Sequence, residues 1–444
     1  MRRIKIKGNV LHRLFFNRSD ERAYGRFAFF FDSLMQAFSN IFTQGAFYTA
    51  FLRLNDISMA DMGLMTYMPI IANISCLFSP FVFRNIKKRK GILMAARMAY
   101  YFVSLCGVAF VPLLFENPRV RMYLMAFLLS FANVIWGIFV GGFSDWLLKF
   151  LPQDGTREEF YAYQGVIIGL FNAATQILAG FVAAAIETLP LGVQGSVLIW
   201  LRLGSFFFIL IDVLVFLRAK EYPYPQSDIR LRIKDVFVLP MRHKQFRAAI
   251  LLRALMQAAA ALTLSSWTYY LMDVGISYST LSFLGAIPPL LSLVLTPLAV
   301  RLFRRMGCTK NLFFYRAFEC GVYFLYACIC PANVAWLYPL AYVILQIVSV
   351  GINIADTNFV YLFMPEEDRL TYYSFYYMIS SLASFLGSFL GAQYIILLAG
   401  RGFSLLGIPL TSVQMLMLIQ AVLCTVATTL LGFKKKRLAA VERI

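Results

Sequence analysis

Apolar runs of about 20 residues recur along the whole chain, separated by short polar connections. At about 1.5 Å rise per residue, each run reaches roughly the 30 Å thickness of a hydrocarbon core. Twelve runs can be drawn: 24–52, 61–83, 91–114, 120–143, 163–187, 195–218, 246–271, 279–302, 311–330, 334–360, 372–398 and 409–433. The pattern predicts an all-α membrane protein with twelve transmembrane helices. Its longest internal polar segment, Lys220 to Gln245, carries Pro223, Pro225 and Pro240 and falls between the sixth and seventh runs. The expected division is a basic arm (1–23), a six-helix half (24–218), a linker (219–245), a second six-helix half (246–433) and a tail (434–444).

The halves read as repeats. Asp32-Ser33-Leu34-Met35-Gln36-Ala37 returns as Arg253-Ala254-Leu255-Met256-Gln257-Ala258. Phe150-Leu151-Pro152 followed by Arg157 returns as Phe363-Met364-Pro365 followed by Arg369, and Pro69 and Arg97 match Pro288 and Arg316. These matches keep one order and a nearly constant separation, so the six-helix halves are expected to be pseudo-symmetric. Asp32 and Arg253 are opposite charges at equivalent depth, and the symmetry predicts that they pair across the axis between the halves.

Polar positions inside the runs mark a candidate path. Asp32, Gln36, Asn40 and Gln44 recur every fourth residue and draw one face about 18 Å long on span one. A membrane helix does not turn four such groups toward lipid. In span ten, Gln346, Ser349, Asn353 and Asp356 keep to one face, and span four offers Asn133 and Trp136, with Asp145 near its end. Arg97 and Arg316 lie one to two turns inside their spans, a depth that snorkelling toward headgroups accounts for; an ion pair is the alternative, Glu319 being one turn from Arg316. Arg202 and Asp212, ten residues apart on span six, lie too far apart along one helix to pair with each other. Gly137 with Gly141 and Gly387 with Gly391 permit close helix approach.

Composition sharpens this picture. The 444 residues are 60% hydrophobic and 14% charged, far from the roughly 25% charged of a soluble domain. The net charge of +19 could point to nucleic acid, but its placement does not. Of the Lys and Arg residues, only Arg53, Arg119, Arg121 and Arg401 fall in the connections on one side, and Arg97, Arg202, Arg253 and Arg316 fall within spans. The others lie in, or at the edge of, the alternate connections and the termini. That asymmetry predicts cytoplasmic termini, contact with anionic lipid headgroups, and no nucleic-acid partner. Seven cysteines without ligand spacing and two histidines, His12 and His243, give no metal or cofactor site. Tyr48, Trp200, Trp267, Tyr269, Trp336 and Tyr338 fall where interfacial anchors are expected. No small-residue cleavage site follows the first run, which is therefore expected to be a retained span.

Certain segments carry a family resemblance. Trp146 to Pro152 followed by Arg157, Gln245-Phe246-Arg247 entering span seven, and Tyr269-Tyr270-Leu271 with Gly275-Ile276-Ser277 leaving it make the chain resemble a transporter of the major facilitator superfamily, of a bacterial-type subgroup. The loop Phe83-Arg84-Asn85-Ile86-Lys87-Lys88-Arg89-Lys90-Gly91 keeps the basic cluster of the family but lacks its aspartate, and the second arginine and glycines expected after Arg157 are missing. The resemblance implies that spans one, four, seven and ten line a central cavity. Asp32 would then be a proton-coupling or gating group with Arg253, and Gln36, Asn40, Gln44, Asn133, Trp136, Gln257, Gln346, Asn353 and Asp356 would line the cavity. The implied activity is secondary transport by alternating access, as a monomer in the cell membrane, with a small-molecule substrate and protons as partners and no cofactor. Import of a small polar solute suits the amides. Export of amphipathic compounds suits the 43 Phe and 18 Met, and a non-transporting scaffold or receptor is the alternative of another class. No phosphate-binding loop, paired carboxylates or nucleophile–base spacing stands out, so no enzymatic activity is expected.

Overall fold

The computed structural model describes residues 20–83, 86–150, 157–222, 233–364, 369–398, 403–405 and 408–441. Most of the basic arm, with Pro152, Pro223, Pro225, Pro365 and Arg401, lies outside them. The described chain is a helical bundle. Spans four (Pro118–Phe150), five (Arg157–Glu187), six (Leu191–Leu217), nine (Cys308–Ala327), ten (Val334–Leu362), eleven (Arg369–Leu397) and twelve (Ser412–Val441) run unbroken. The others are interrupted. Span one is Ala23–Thr43 then Gly45–Arg53, span seven is Lys244–Ala260 then Trp267–Asp273, and span eight is Tyr278–Leu284 then Ile287–Met306. A 3-10 stretch, Asn73–Phe78, sits inside span two (Met59–Phe83), just ahead of Pro80, which has no N–H to return to Cys76. A π-helical turn, Phe102–Gly107, sits inside span three (Lys90–Leu114). The linker contains a helix, Ile233–Arg242, and a two-stranded hairpin, Phe403–Leu405 with Ile408–Leu410, precedes span twelve.

Among the described residues, nine helices are long and apolar enough to cross a membrane, and the protein is a multi-pass membrane protein. Spans one, seven and nine are the remaining three, and they carry Asp32, Arg253, Arg316 and Glu319. In spans one, three and seven a neighbour's side chain meets the broken backbone, as an apolar surround demands. At the break in span seven, Gln420 Oε1 accepts from Thr263 N at 3.2 Å and from Thr263 Oγ1 at 2.7 Å. Gly387 and Gly391 bring span eleven so near that a Cβ on either would collide with the carbonyls of Ala258 and Leu262. Gly137 and Gly141 do the same for span four against Ser75 and Ser79 of span two.

Within the first half, span one packs on six, and span four on two and three; within the second, seven packs on eleven and twelve, and nine on ten and twelve. The halves meet along two seams, span two against eleven and span five against eight. Tyr67 stands edge-on to Phe385 and Phe389 in one seam, with ring centroids 5.8 and 5.3 Å away. Gly180 makes room for Phe283 in the other. Spans one, seven and ten are thereby left to face the space between the halves.

Candidate functional site

The deepest charges form one cluster in each half. In the first, the Arg97 guanidinium of span three donates to Asp32 Oδ1 of span one and, at 2.6 Å, to Asp212 Oδ2 of span six. Arg97 and Asp212 are fully enclosed, and Tyr101, Phe143 and Phe216 place their rings 5.3 to 5.5 Å from the guanidinium. Two carboxylates share one cation, so the triad is formally one negative charge in excess when both acids are ionised. Gln36 Nε2 donates to Asp32 Oδ1 at 2.8 Å.

In the second half the pattern is inverted. Asp356 of span ten lies between Arg253 of span seven, at 3.0 Å, and Arg316 of span nine, at 2.8 Å. Arg316 also holds Glu319 at 2.7 Å, so these four charges balance. Arg253 donates to Gln257 Oε1 at 2.7 Å, and Gln257 donates to Ser384 Oγ of span eleven at 2.8 Å.

Two sequence expectations are corrected by this geometry. Asp32 and Arg253 do not pair with each other; each is held inside its own half, by Arg97 and by Asp356. Each partner comes from a helix of the same half, so the pairing follows the packing of that half and not the symmetry axis between the halves. Arg97 and Arg316 do not snorkel: both are buried in ion pairs. Arg202 and Asp212 keep apart, as expected. Arg202 donates to the carbonyls of Thr43, at the break in span one, and Ser104, in the π-helical turn, at 3.0 and 3.1 Å. It rests over the rings of Tyr48 and Phe51.

Between the halves lies a cavity with two connected lobes of about 360 and 470 Å³ that share Asn40, Ile41, Gln176 and Gly285. Span one contributes Ser33, Gln36, Asn40 and Gln44, and span five contributes Asn172 and Gln176. Thr268 of span seven and Tyr338 and Tyr342 of span ten face them. The glycine at 285 lets Gln176 come close, since a Cβ there would lie 2.7 Å from Gln176 Oε1. Gln36 belongs both to this wall and to the Asp32 cluster.

The polar stripe of span one therefore reaches the cavity through three of its four members. Other expected lining residues lie elsewhere. Asn133 donates to its own helix at Leu129 O, 2.8 Å away, and Trp136 stacks among Tyr100 and Phe143 inside the first half. Gln257 and Asp356 belong to the second charge cluster. Gln346 is half-buried and Asn353 exposed, and neither is in the two described lobes. Asn172, Gln176, Tyr338 and Tyr342 were missed. Tyr338 was expected as an interfacial anchor and is instead buried at the cavity wall, whereas Trp200 and Trp336 are exposed as anchors should be.

At the end of the bundle opposite the linker, the halves are joined directly. Arg53 at the end of span one pairs with Asp273 at the end of span seven, 2.9 Å away, and lies over the Tyr269 ring. Glu187, ending span five, accepts from Ser279 N at 3.2 Å and Ser279 Oγ at 2.6 Å at the start of span eight. Asp145 pairs with Arg89 at 3.1 Å at the linker end, within the first half.

No family model and no curated protein matches the chain. Solved structures do. A nucleoside transporter NupG variant is similar over 92% of this chain and 98% of its own, with TM-score 0.67 and 14% identity. A POT family transporter in complex with a thioalcohol-conjugated peptide gives TM-score 0.68 and 11% identity over 93% and 96%. A D-xylose-proton symporter gives 0.62 and 13% over 92% and 96%. At this level of identity the likeness speaks for architecture, and the chain has the twelve-helix, two-half fold of the major facilitator superfamily.

Proposed function

We propose that the protein is a proton-coupled secondary transporter that imports a small polar solute by alternating access. The observation that carries this reading is the amide-walled cavity between two halves that the Arg53–Asp273 and Glu187–Ser279 contacts join at one end of the bundle. The similar structures support it, being those of a nucleoside transporter, a peptide-bound transporter and a D-xylose-proton symporter. A solute bound against Gln36 competes for the amide that holds Asp32. A proton on Asp32 removes the excess charge of the triad and loosens Arg97 from span one. Solute and proton thus act on one element, and their differential hold on it in the two facing states couples them.

The polar wall is testable one residue at a time. Gln36→Leu and Asn40→Leu should each cut solute uptake at least about tenfold while membrane expression stays near normal, because interhelical polar contacts average only about 0.6 kcal/mol. Lost expression with unchanged uptake per folded molecule would make the stripe a packing seam. The reading also places both termini and the linker in the cytoplasm of a cell-membrane monomer. With Cys328 and Cys330 replaced by serine, cysteines placed at Lys220 and Lys244 should react with impermeant maleimide only in inside-out vesicles, and labelling of intact cells would reverse the orientation.

A further inference from the structure

We infer that the transported solute is uncharged and rich in hydroxyl groups, of the size of a monosaccharide or nucleoside; this rests on the transport reading above. The described lining of the two lobes contains no charged side chain. Asp32, behind Gln36, is already committed to Arg97. An ion entering such a cavity would lose its hydration and meet no charged side chain in the lining, a penalty of several kcal/mol. A neutral solute avoids that penalty.

The wall offers what hydroxyls use. Gln36, Asn40, Gln44, Asn172 and Gln176 carry N–H donors and carbonyl acceptors; Gln36 spends one N–H on Asp32, and Gln44 donates to Asn40 Oδ1 at 3.1 Å. A hydroxyl both donates and accepts, so a polyol can satisfy amides of either orientation. Asn172 Oδ1 is buried without a hydrogen-bond partner among the described residues. A buried acceptor left unpaired is costly, and a solute O–H would satisfy it. Opposite the amides, the Tyr338 and Tyr342 rings stand 5.7 Å apart, tilted by 46°. Either ring gives an apolar face against which a sugar or base ring can lie. The lobe volumes fall in the range of small-ligand sites, about 300–1,000 Å³.

The test uses matched pairs on the purified full-length protein in proteoliposomes under an inward proton gradient. Uptake of glucose is compared with glucuronate, and of uridine with uridine monophosphate; alanyl-alanine represents zwitterions. The neutral member of at least one pair should be taken up at least about tenfold faster than its charged partner, and should raise the melting temperature of the protein. Asn172→Leu should weaken that solute's half-saturation about tenfold, the effect of one lost hydrogen bond. Its ligand-free melting temperature should match that of the wild type. Equal or faster uptake of a charged member or of the dipeptide overturns the inference and leaves transport standing. Absence of uptake and of stabilisation for every probe also overturns it, and distances between spin labels at the two ends of the bundle, measured without solute, then decide the transport reading.

Discussion

Replacing Arg97 by leucine is expected to remove most of the folded protein from the membrane. Arg97 is the cation that holds Asp32 and Asp212 together, all three being buried. Without it two carboxylates face each other among the rings of Tyr101, Phe143 and Phe216. Breaking a buried ion pair from one side costs about 3–5 kcal/mol, a large share of the roughly 5–15 kcal/mol that stabilises a protein. Fluorescence-detected size exclusion of a tagged protein should show at least about a tenfold loss of the monodisperse peak. Arg97→Lys should recover part of it, since a point charge replaces the charge but not the fork that reaches two acids. The triple variant Asp32→Asn, Arg97→Met, Asp212→Asn should recover more, because no uncompensated charge remains. A wild-type peak for Arg97→Leu would show that the cluster does not hold spans one, three and six together.

The largest functional effect is expected at Asp32. Asp32→Asn keeps a side chain of the same size, leaves Arg97 paired with Asp212 and still accepts from Gln36, so the protein should fold. It can no longer gain or lose a proton at the contact with Gln36. Uptake against a gradient, measured with labelled uridine and xylose under an inward proton gradient, should fall to the level reached without the gradient. Exchange of the same solute across proteoliposomes preloaded with it should persist. Retained proton-driven accumulation in Asp32→Asn would move the proton site elsewhere in the protein. Loss of both accumulation and exchange would make Asp32 a structural or binding group.

Much of the fold was legible because hydrophobic length depends on the membrane rather than on tertiary detail. The breaks at Thr43–Gly45 and at 261–266 were not, because they are stabilised from outside the helix, by Arg202 and by Gln420, whose reach the local sequence does not show. The span-one stripe gave its cavity face through four-residue spacing, and the same rule applied to Asn172 and Gln176 would have found the facing wall. Tyr338 and Tyr342 have that spacing too, but a tyrosine near a span end reads equally well as an interfacial anchor. Charge pairing was the hardest part. The repeat gave Asp32 and Arg253 equal depth, yet depth along the membrane normal says nothing of lateral neighbours. Arg97 and Asp356 come from helices whose adjacency only the packing of each half decides.

Alternating access is tested most directly by distances measured without any solute. Spin labels at Leu191 and Thr280 report the end held by Arg53–Asp273 and Glu187–Ser279, and labels at Lys87 and Arg304 report the linker end. Across a pH series in lipid nanodiscs, both pairs should show two distance populations that trade in opposite directions, one end opening as the other closes. Arg53→Ala with Glu187→Gln should shift both pairs toward the state open at the Leu191–Thr280 end. A single unchanging distance at both ends, in wild type and in that variant alike, would contradict alternating access.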